Sequence, residues 1–583
     1  MDTIKASSGN SRKSIFQFLK SSLTKINPWE NFTSLNQNIS GDILAGITVA
    51  IIALPLALAF GQVSQLGPIA GIMGAIAGGV IGGLFGGCAL SVSGPTAPTS
   101  SQIAAFLGAF MIGTTNQPDL VAVFSIIFLS GLIIVGISLL KISHYIHFIP
   151  YSVVAGFMCG IGLMVVMGQI NSFVGLESKK NIHQVLEGLN STLKNINKEA
   201  LYIGIPSLFL MFFWPKFKLN FKPLVNIPAP LVALLTGTSI SYFLNLNVPL
   251  IGDQFSSSMQ GETFRLYFPD FSRMVEFIGP AFALAGLVII DSLLSCIIAD
   301  NLTGTRHISD RETFGQGMAN MVSGLIGGVT TATATMFTVS NIKFGGKTPL
   351  ASVVYGITLL GILLGLKSFV AAIPIACIAA ILIKVGVDIM DYRVLPILRK
   401  LPTMDLIIFT IVLFITVYYN LMVAVAVGVT IAVVRYSKEL KITFNSKRQH
   451  HMVPFAESDF IPKNSDNEKF INLPIGVLQP RKALFFGSIE PLSIAYGDAP
   501  KHDMLIVDMG QTSKVDLSGT YALEDLIKGA EAQGIKVIVS HANARVKKVF
   551  RKVNFREHLR KGHYFDKPEL VLPIIKEQFN ISD

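Results

Sequence analysis

Between Gly41 and Tyr436 the chain is a succession of apolar runs, each long enough to cross a bilayer as a helix of about 20 residues. Nothing else constrains the fold as strongly. Only 14% of the 583 residues are charged and 51% are hydrophobic, whereas a soluble chain of this size carries roughly a quarter charged residues. The windows fall at 41–62, 66–86, 95–111, 118–140, 150–172, 200–214, 228–245, 276–298, 313–329, 334–346, 349–366, 368–387, 404–420 and 421–437. These predict an α-helical polytopic membrane protein of 14 spans. An N-terminal segment (1–40) precedes the membrane-spanning region (41–437), and a linker (438–468) leads to a soluble domain (469–583).

Residues 1–40 are polar and lack the apolar core and small-residue cleavage site of a signal peptide. Within them Ile15, Phe16, Phe18, Leu19 and Leu23 share one helical face, suited to lying on a membrane surface. The net charge of +11 needs no nucleic acid, because of where it sits. With the N-terminus inside, the inner loops carry Lys141, then Lys216, Lys218 and Lys222, then Arg306 and Arg311, then Arg393, Arg399 and Lys400. The outer loops are mixed, as in Glu177, Lys179, Lys180 and Glu187. This is the positive-inside bias, and it places both termini in the cytoplasm of a chain spanning the inner (plasma) membrane. Cys88, Cys159, Cys296 and Cys377 fall within spans, with neither a disulfide framework nor metal-ligand spacing.

Two stretches depart from the apolar pattern at membrane depth: Ser91 to Pro98 (SVSGPTAP) and Thr330 to Thr338 (TTATATMFT). Both are rich in small residues and hydroxyls, and both read as an extended strand entering a helix. They make the third and tenth spans short and polar. Irregular backbone at this depth is tolerated where it is buried in protein or lines a cavity. Spans one to seven and eight to fourteen form two halves, and because seven is odd, the second half must be inverted relative to the first. The two interrupted segments are then symmetry mates, the best sequence pointer to a transporter's binding site. Each helix start offers free N–H groups and about half a positive charge, a ready anion site.

At this point the chain resembles the sulfate permease (SulP) anion transporter family with its C-terminal STAS domain, from about Gly41 to Lys576. The resemblance is carried by Asp42-Ile-Leu-Ala-Gly-Ile-Thr-Val-Ala, Leu54-Pro-Leu-Ala-Leu-Ala-Phe-Gly61, Gly94-Pro-Thr-Ala-Pro98 and Asp300-Asn-Leu-Thr-Gly-Thr-Arg-His307. Gly315-Gln-Gly-Met-Ala-Asn320, Gly327-Gly328 and Asn341-Ile-Lys-Phe-Gly-Gly-Lys-Thr-Pro349 follow in order. The resemblance implies a seven-plus-seven inverted repeat, a core domain moving against a gate domain in an elevator-like cycle, and a homodimer. Many members carry an arginine where this chain has Phe337. This chain instead places Asp291 in mid-span, and an ionisable group there is a functional hypothesis by default.

Ser295 lies at i+4 from Asp291, on the same helix face. The inverted symmetry of the two halves brings the hydroxyls of Thr333 and Thr335 to the same depth. One carboxylate with hydroxyl and carbonyl oxygens suits a hard cation such as sodium, which would supply the positive charge the absent arginine does not. A proton on Asp291 would do similar work. Ala334-Thr-Met-Phe-Thr-Val-Ser-Asn341 and Asp291-Ser-Leu-Leu294 resemble the cyanobacterial sodium-dependent bicarbonate transporters of this family. That resemblance implies a sodium site of Asp291, Ser295, Thr333, Ala334 and Thr335. It implies an anion site of Phe60, Gly94, Pro95, Thr96 and Ala97 with Thr335, Met336 and Phe337.

In the soluble domain Ala483-Leu-Phe-Phe486, Met504–Asp508 and Ile535–Ser540 read as buried strands, with helices over Gly519–Ala532 and Ala544–Val553. The alternation predicts an α/β domain. It has no Walker-type or dinucleotide-type glycine loop, which argues against a nucleotide-driven motor. Asp516-Leu-Ser-Gly519 resembles the phosphorylation loop of anti-sigma factor antagonists, so Ser518 is either a phosphorylation site or an ordinary helix N-cap. His450 and His451 read as solvated linker residues. The expectation is a non-enzymatic, sodium-coupled anion transporter, bicarbonate first, with no tightly bound cofactor and with an unidentified cytoplasmic partner for the STAS domain. Sulfate or dicarboxylate symport and an anion channel or exchanger are the alternatives.

Overall fold

The computed structural model describes residues 26–112, 117–141, 150–177, 182–217, 227–253, 266–303, 305, 307–365, 367–390, 398, 401, 403–419, 421–435, 437, 450–458, 460–461, 473–485, 488, 492, 495–496, 502–532, 534–555, 564–565 and 570–579. The amphipathic N-terminal face, Lys218, Lys222, Arg306, Arg393, Arg399, Lys400 and Phe486 lie outside the described residues.

The membrane region begins with α1 (Ile39–Val63), α2 (Pro68–Phe85) and a short strand β1 (Ser93–Pro95) that leads into α3 (Ala97–Ala109). Then come α4 (Leu120–Leu139), α5 (Tyr151–Phe173), α6 (Lys198–Phe217), α7 (Ala229–Leu244), α8 (Met274–Thr303) and α9 (Ser309–Leu325). A second strand, β2 (Thr331–Thr333), enters α10 (Thr335–Lys343). It is followed by α11 (Leu350–Gly365), α12 (Ile375–Ile389), α13 (Thr403–Tyr418) and α14 (Leu421–Arg435). Among the described residues, α1, α2, α4, α5 and the stretch Phe271–Asp300, which runs through most of α8, are long and apolar enough to cross a membrane, by length and composition. Prolines mark many starts, with Pro68 in the first turn of α2 and Pro150, Pro228 and Pro374 immediately before α5, α7 and α12. Their fixed φ suits a helix entrance and their missing N–H costs nothing there.

The helices pack in two groups. In one, α4 lies against α8 and α9, while α1 lies against α2 and α11. In the other, α5 lies against α12 and α13, and α6 against α7 and α12. The paired strands β1 and β2 sit inside the first group, with α2, α8 and α9 around them.

The soluble domain is built on a five-stranded sheet. Its strands are β3 (His450–Pro454), β4 (Ile475–Pro480), β6 (Met504–Asp508), β8 (Lys536–Ser540) and β9 (Tyr564–Phe565), lying in the order β9-β8-β6-β4-β3. A small parallel pair, β5 (Lys482–Leu484) with β7 (Thr512–Val515), stands beside it. The helices are α15 (Leu517–Ala532), α16 (Ala544–Lys552) and α17 (Val571–Gln578). Two expectations are corrected here. His450 and His451 are not linker residues: they belong to β3, which pairs antiparallel with β4 from His450↔Pro480 to Pro454↔Gly476. The sheet therefore begins inside the stretch assigned to the linker. Ser518 is not the N-cap of α15 either. Asp516 fills that place, its Oδ1 accepting from the Gly519 N–H at 2.7 Å and its carbonyl from Thr520.

Candidate functional site

The strands β1 and β2 pair antiparallel, with Ser93 opposite Thr333, Gly94 opposite Ala332 and Pro95 opposite Thr331. Each runs directly into a helix, so α3 and α10 leave the ribbon from opposite ends with their N-termini facing. Ala334 is held to Val92 by an N–H···O bond of 3.0 Å. Val92 is four residues before Thr96, which sets the two helix starts about 13 Å apart along the ribbon at ~3.3 Å per residue.

The two starts differ in chemistry. At α3, Thr96 and Thr99 form a local knot: the Thr96 N–H donates to Thr99 Oγ1 at 3.3 Å and the two hydroxyls are 3.0 Å apart. At α10 the capping position is Ala334, which has no side-chain oxygen to satisfy the first turn. The N–H groups of Thr335, Met336 and Phe337 therefore receive no cap from it, leaving the positive end of α10 uncompensated.

Helix α8 spans both starts. Asp291 accepts from the Thr96 hydroxyl at the beginning of α3. Its other carboxylate oxygen, Oδ2, is buried and has no hydrogen-bond partner among the described residues. One turn on, Ser295 Oγ lies 2.9 Å from the Asp291 carbonyl and 2.7 Å from Thr335 Oγ1. Asp291, Ser295, Thr96 and Thr335 are thus linked in a chain of oxygens, through the Asp291 carboxylate at one end and its carbonyl at the other. A buried carboxylate oxygen left without a partner is costly unless something fills the place.

Thr333 does not join this cluster through its hydroxyl. Its N–H donates to Ser292 Oγ at 3.1 Å, but its side chain points to the other side, where it donates to Glu312. Phe60, Ala97, Ala334 and Phe337 are all buried and belong to the same apolar cluster. Gly94, Pro95 and Thr96 are buried beside it. Met336 reaches the site only through its main chain, its side chain being half exposed. Ser518 lies in the soluble domain, where it is buried and its Oγ accepts from the Tyr151 N–H at 2.8 Å.

A supporting network escaped the sequence reasoning. Glu312, on α9, is fully buried. Its Oε2 accepts from the N–H groups of Gly87 and Cys88 at 2.9 and 3.0 Å, while its Oε1 accepts from Gln316 at 2.9 Å and from Thr333. Gln316 Nε2 also lies 2.7 Å from Ser93 Oγ on β1 and 2.9 Å from Thr333 Oγ1 on β2. Asn320 holds Thr331 of β2 by both its N–H and its carbonyl, at 2.9 and 2.8 Å. The signal was present as polar residues at 312, 316, 320 and 323, the spacing of one helix face.

The Sulfate permease family matches residues 39–412 and the STAS domain family residues 469–569. Bicarbonate transporter BicA of Picosynechococcus sp. is 33% identical over 529 residues, covering 89% of this chain and 91% of that protein. Putative sulfate transporter YvdB of Bacillus subtilis is 27% identical, covering 91% of this chain and 96% of its own length. Among solved structures, the transmembrane domain of a cyanobacterium bicarbonate transporter BicA aligns with a TM-score of 0.57 at 34% identity, covering 67% of this chain and 98% of that one.

Proposed function

This chain belongs to the sulfate permease family and carries a STAS domain, and from that premise we propose that it is a sodium-coupled bicarbonate symporter. The observation that carries the proposal is the orphaned Asp291 Oδ2, on the same face of α8 and one turn from the Ser295–Thr335 hydroxyl pair that sits at the uncapped start of α10. Sodium is a substrate in this scheme. Asp291, Ser295 and Thr335 would hold it, with the main-chain oxygens of Thr333 and Ala334 at the strand-to-helix junction. The anion would lie between the starts of α3 and α10, against Phe60 and Phe337. With Phe337 in place of a cationic side chain, the anion's charge is met by two helix ends and by the bound cation. Each ion lowers the cost of placing the other, which is the thermodynamic basis of symport. A monovalent anion suits that balance better than sulfate, which brings a second charge. The bicarbonate transporter among the relatives supports the same choice.

In this scheme the chain crosses the inner (plasma) membrane fourteen times with both termini cytoplasmic, in two inverted sets of seven. Helices α1–α4 and α8–α11 would move as one body against α5–α7 and α12–α14. The packing supports an inverted repeat, because α1 rests on α11 as α8 rests on α4, the exchange that such a repeat requires. The test is Asp291→Asn, which keeps the size of the side chain and removes its charge. Sodium-dependent anion uptake should disappear while the unfolding temperature in sodium-free buffer stays near wild type. Wild-type sodium stimulation in that variant would sink the cation assignment.

A further inference from the structure

Tyr355 belongs to no site assigned above. It lies on α11, is fully buried in the apolar cluster that includes Phe60, Ala97 and Phe337, and its Oη has no hydrogen-bond partner among the described residues. A phenol hydroxyl buried in this way gives up its hydration and gains nothing, whereas phenylalanine would fill the same slot without that cost. The position of the hydroxyl is specific. A Cβ added to Gly94 would stand 2.9 Å from Tyr355 Oη and 3.1 Å from Phe337 Cε2. The hydroxyl therefore abuts the one point of β1 that presents bare backbone, two residues before Thr96. The Phe337 ring, from the first turn of α10, lies with its centroid 6.0 Å from the Tyr355 ring. On its other edge the ring is seated against Gly79 of α2, where an added Cβ would meet Cδ1 at 2.5 Å. This slot fixes the ring and sets the hydroxyl against Gly94 of β1.

We propose that Tyr355 is a selectivity residue of the anion site, its hydroxyl the neutral donor to an oxygen of the anion seated between the starts of α3 and α10. The inference rests on the anion site proposed above. It assigns to a phenol O–H what a fixed cation would do elsewhere, namely a directed contact, without adding charge. A single donor of this kind favours an oxyanion with an acceptor oxygen in the right place over a spherical halide, which gains less from one directed bond.

The test compares wild type with Tyr355→Phe as purified full-length protein in detergent at fixed sodium. Bicarbonate, sulfate and chloride are each titrated against thermal unfolding, followed by bicarbonate uptake in proteoliposomes. The concentration of oxyanion for half-maximal protection, and the half-saturation for uptake, should rise about tenfold on loss of the hydroxyl. Half-saturation for sodium protection, read without anion, should stay the same, chloride should lose least, and the unfolding temperature without anion should be equal or higher. A merely structural tyrosine would instead lower that temperature and leave both anion constants unchanged, and this result overturns the proposal. If sulfate and not bicarbonate protects the wild type, the bicarbonate reading falls and Tyr355 is judged on sulfate. If none of the three anions protects the wild type, the anion site falls and Tyr355 with it.

Discussion

Glu312 is placed in neither proposed ion site, yet it holds the strands on which both sites would be built. Its carboxylate ties the turn after α2 to Thr333 of β2, and Gln316 extends the tie to Ser93 of β1. Glu312→Ala would leave several buried donors without an acceptor. The expected loss of stability is about 3 kcal/mol or more, read as a lowered unfolding temperature, with uptake reduced at every sodium concentration. A fully active, equally stable variant would contradict the role given to Glu312. The sequence exposed Asp291 because a lone carboxylate in an apolar run has no ordinary explanation. Glu312 stayed hidden because an acidic residue in the first turn of a helix is what the helix dipole favours anyway. The Thr333 hydroxyl, expected at the depth of Thr335, points elsewhere for a reason of geometry. Strand alternation puts Thr331, Thr333 and Thr335 on one face, but the chain enters a helix after Ala334 and that period ends. Thr335 then meets Ser295, and the Thr333 hydroxyl meets Glu312.

The two strand-to-helix elements were legible as interruptions of apolar sequence, small residues and hydroxyls being out of place at that depth. Their pairing register was not legible, since three residues of each strand carry no pattern strong enough to fix it. The element-scale prediction concerns Phe337, which is nearly fully buried at the start of α10. Phe337→Arg would place a permanent cation beside the anion. Uptake in that variant should depend less on sodium, and sulfate should compete with bicarbonate more effectively than in wild type; competition assays at high and low sodium measure both effects. Unchanged sodium dependence and anion preference would show that the charge at this position does not set the balance. In the soluble domain, β6 and β8 were legible because central parallel strands are continuous apolar runs. Strand β3 was not: it is an edge strand, and its paired histidines look like linker.

At the scale of the whole molecule, the soluble domain touches both groups of helices. Its α15 packs on α8, which carries Asp291, and on α5. Ser518 receives the Tyr151 N–H, and the rings of Tyr151 and Tyr521 lie 4.6 Å apart. Ala155, Cys159 and Phe409 of the membrane region share one apolar cluster with the domain's own core. None of this was legible beforehand, because such contacts depend on how two separately patterned regions meet. The fold class was legible, since bilayer-length runs and alternating buried strands are each local patterns. The central claim is that sodium and bicarbonate cross together, and it is tested by radiolabelled bicarbonate uptake into proteoliposomes holding the full-length protein. An inward sodium gradient should drive bicarbonate transiently above its equilibrium level inside the vesicles, while a potassium or choline gradient of equal size should not. Equal uptake under all three gradients, or gradient-driven accumulation of sulfate alone, would contradict the account.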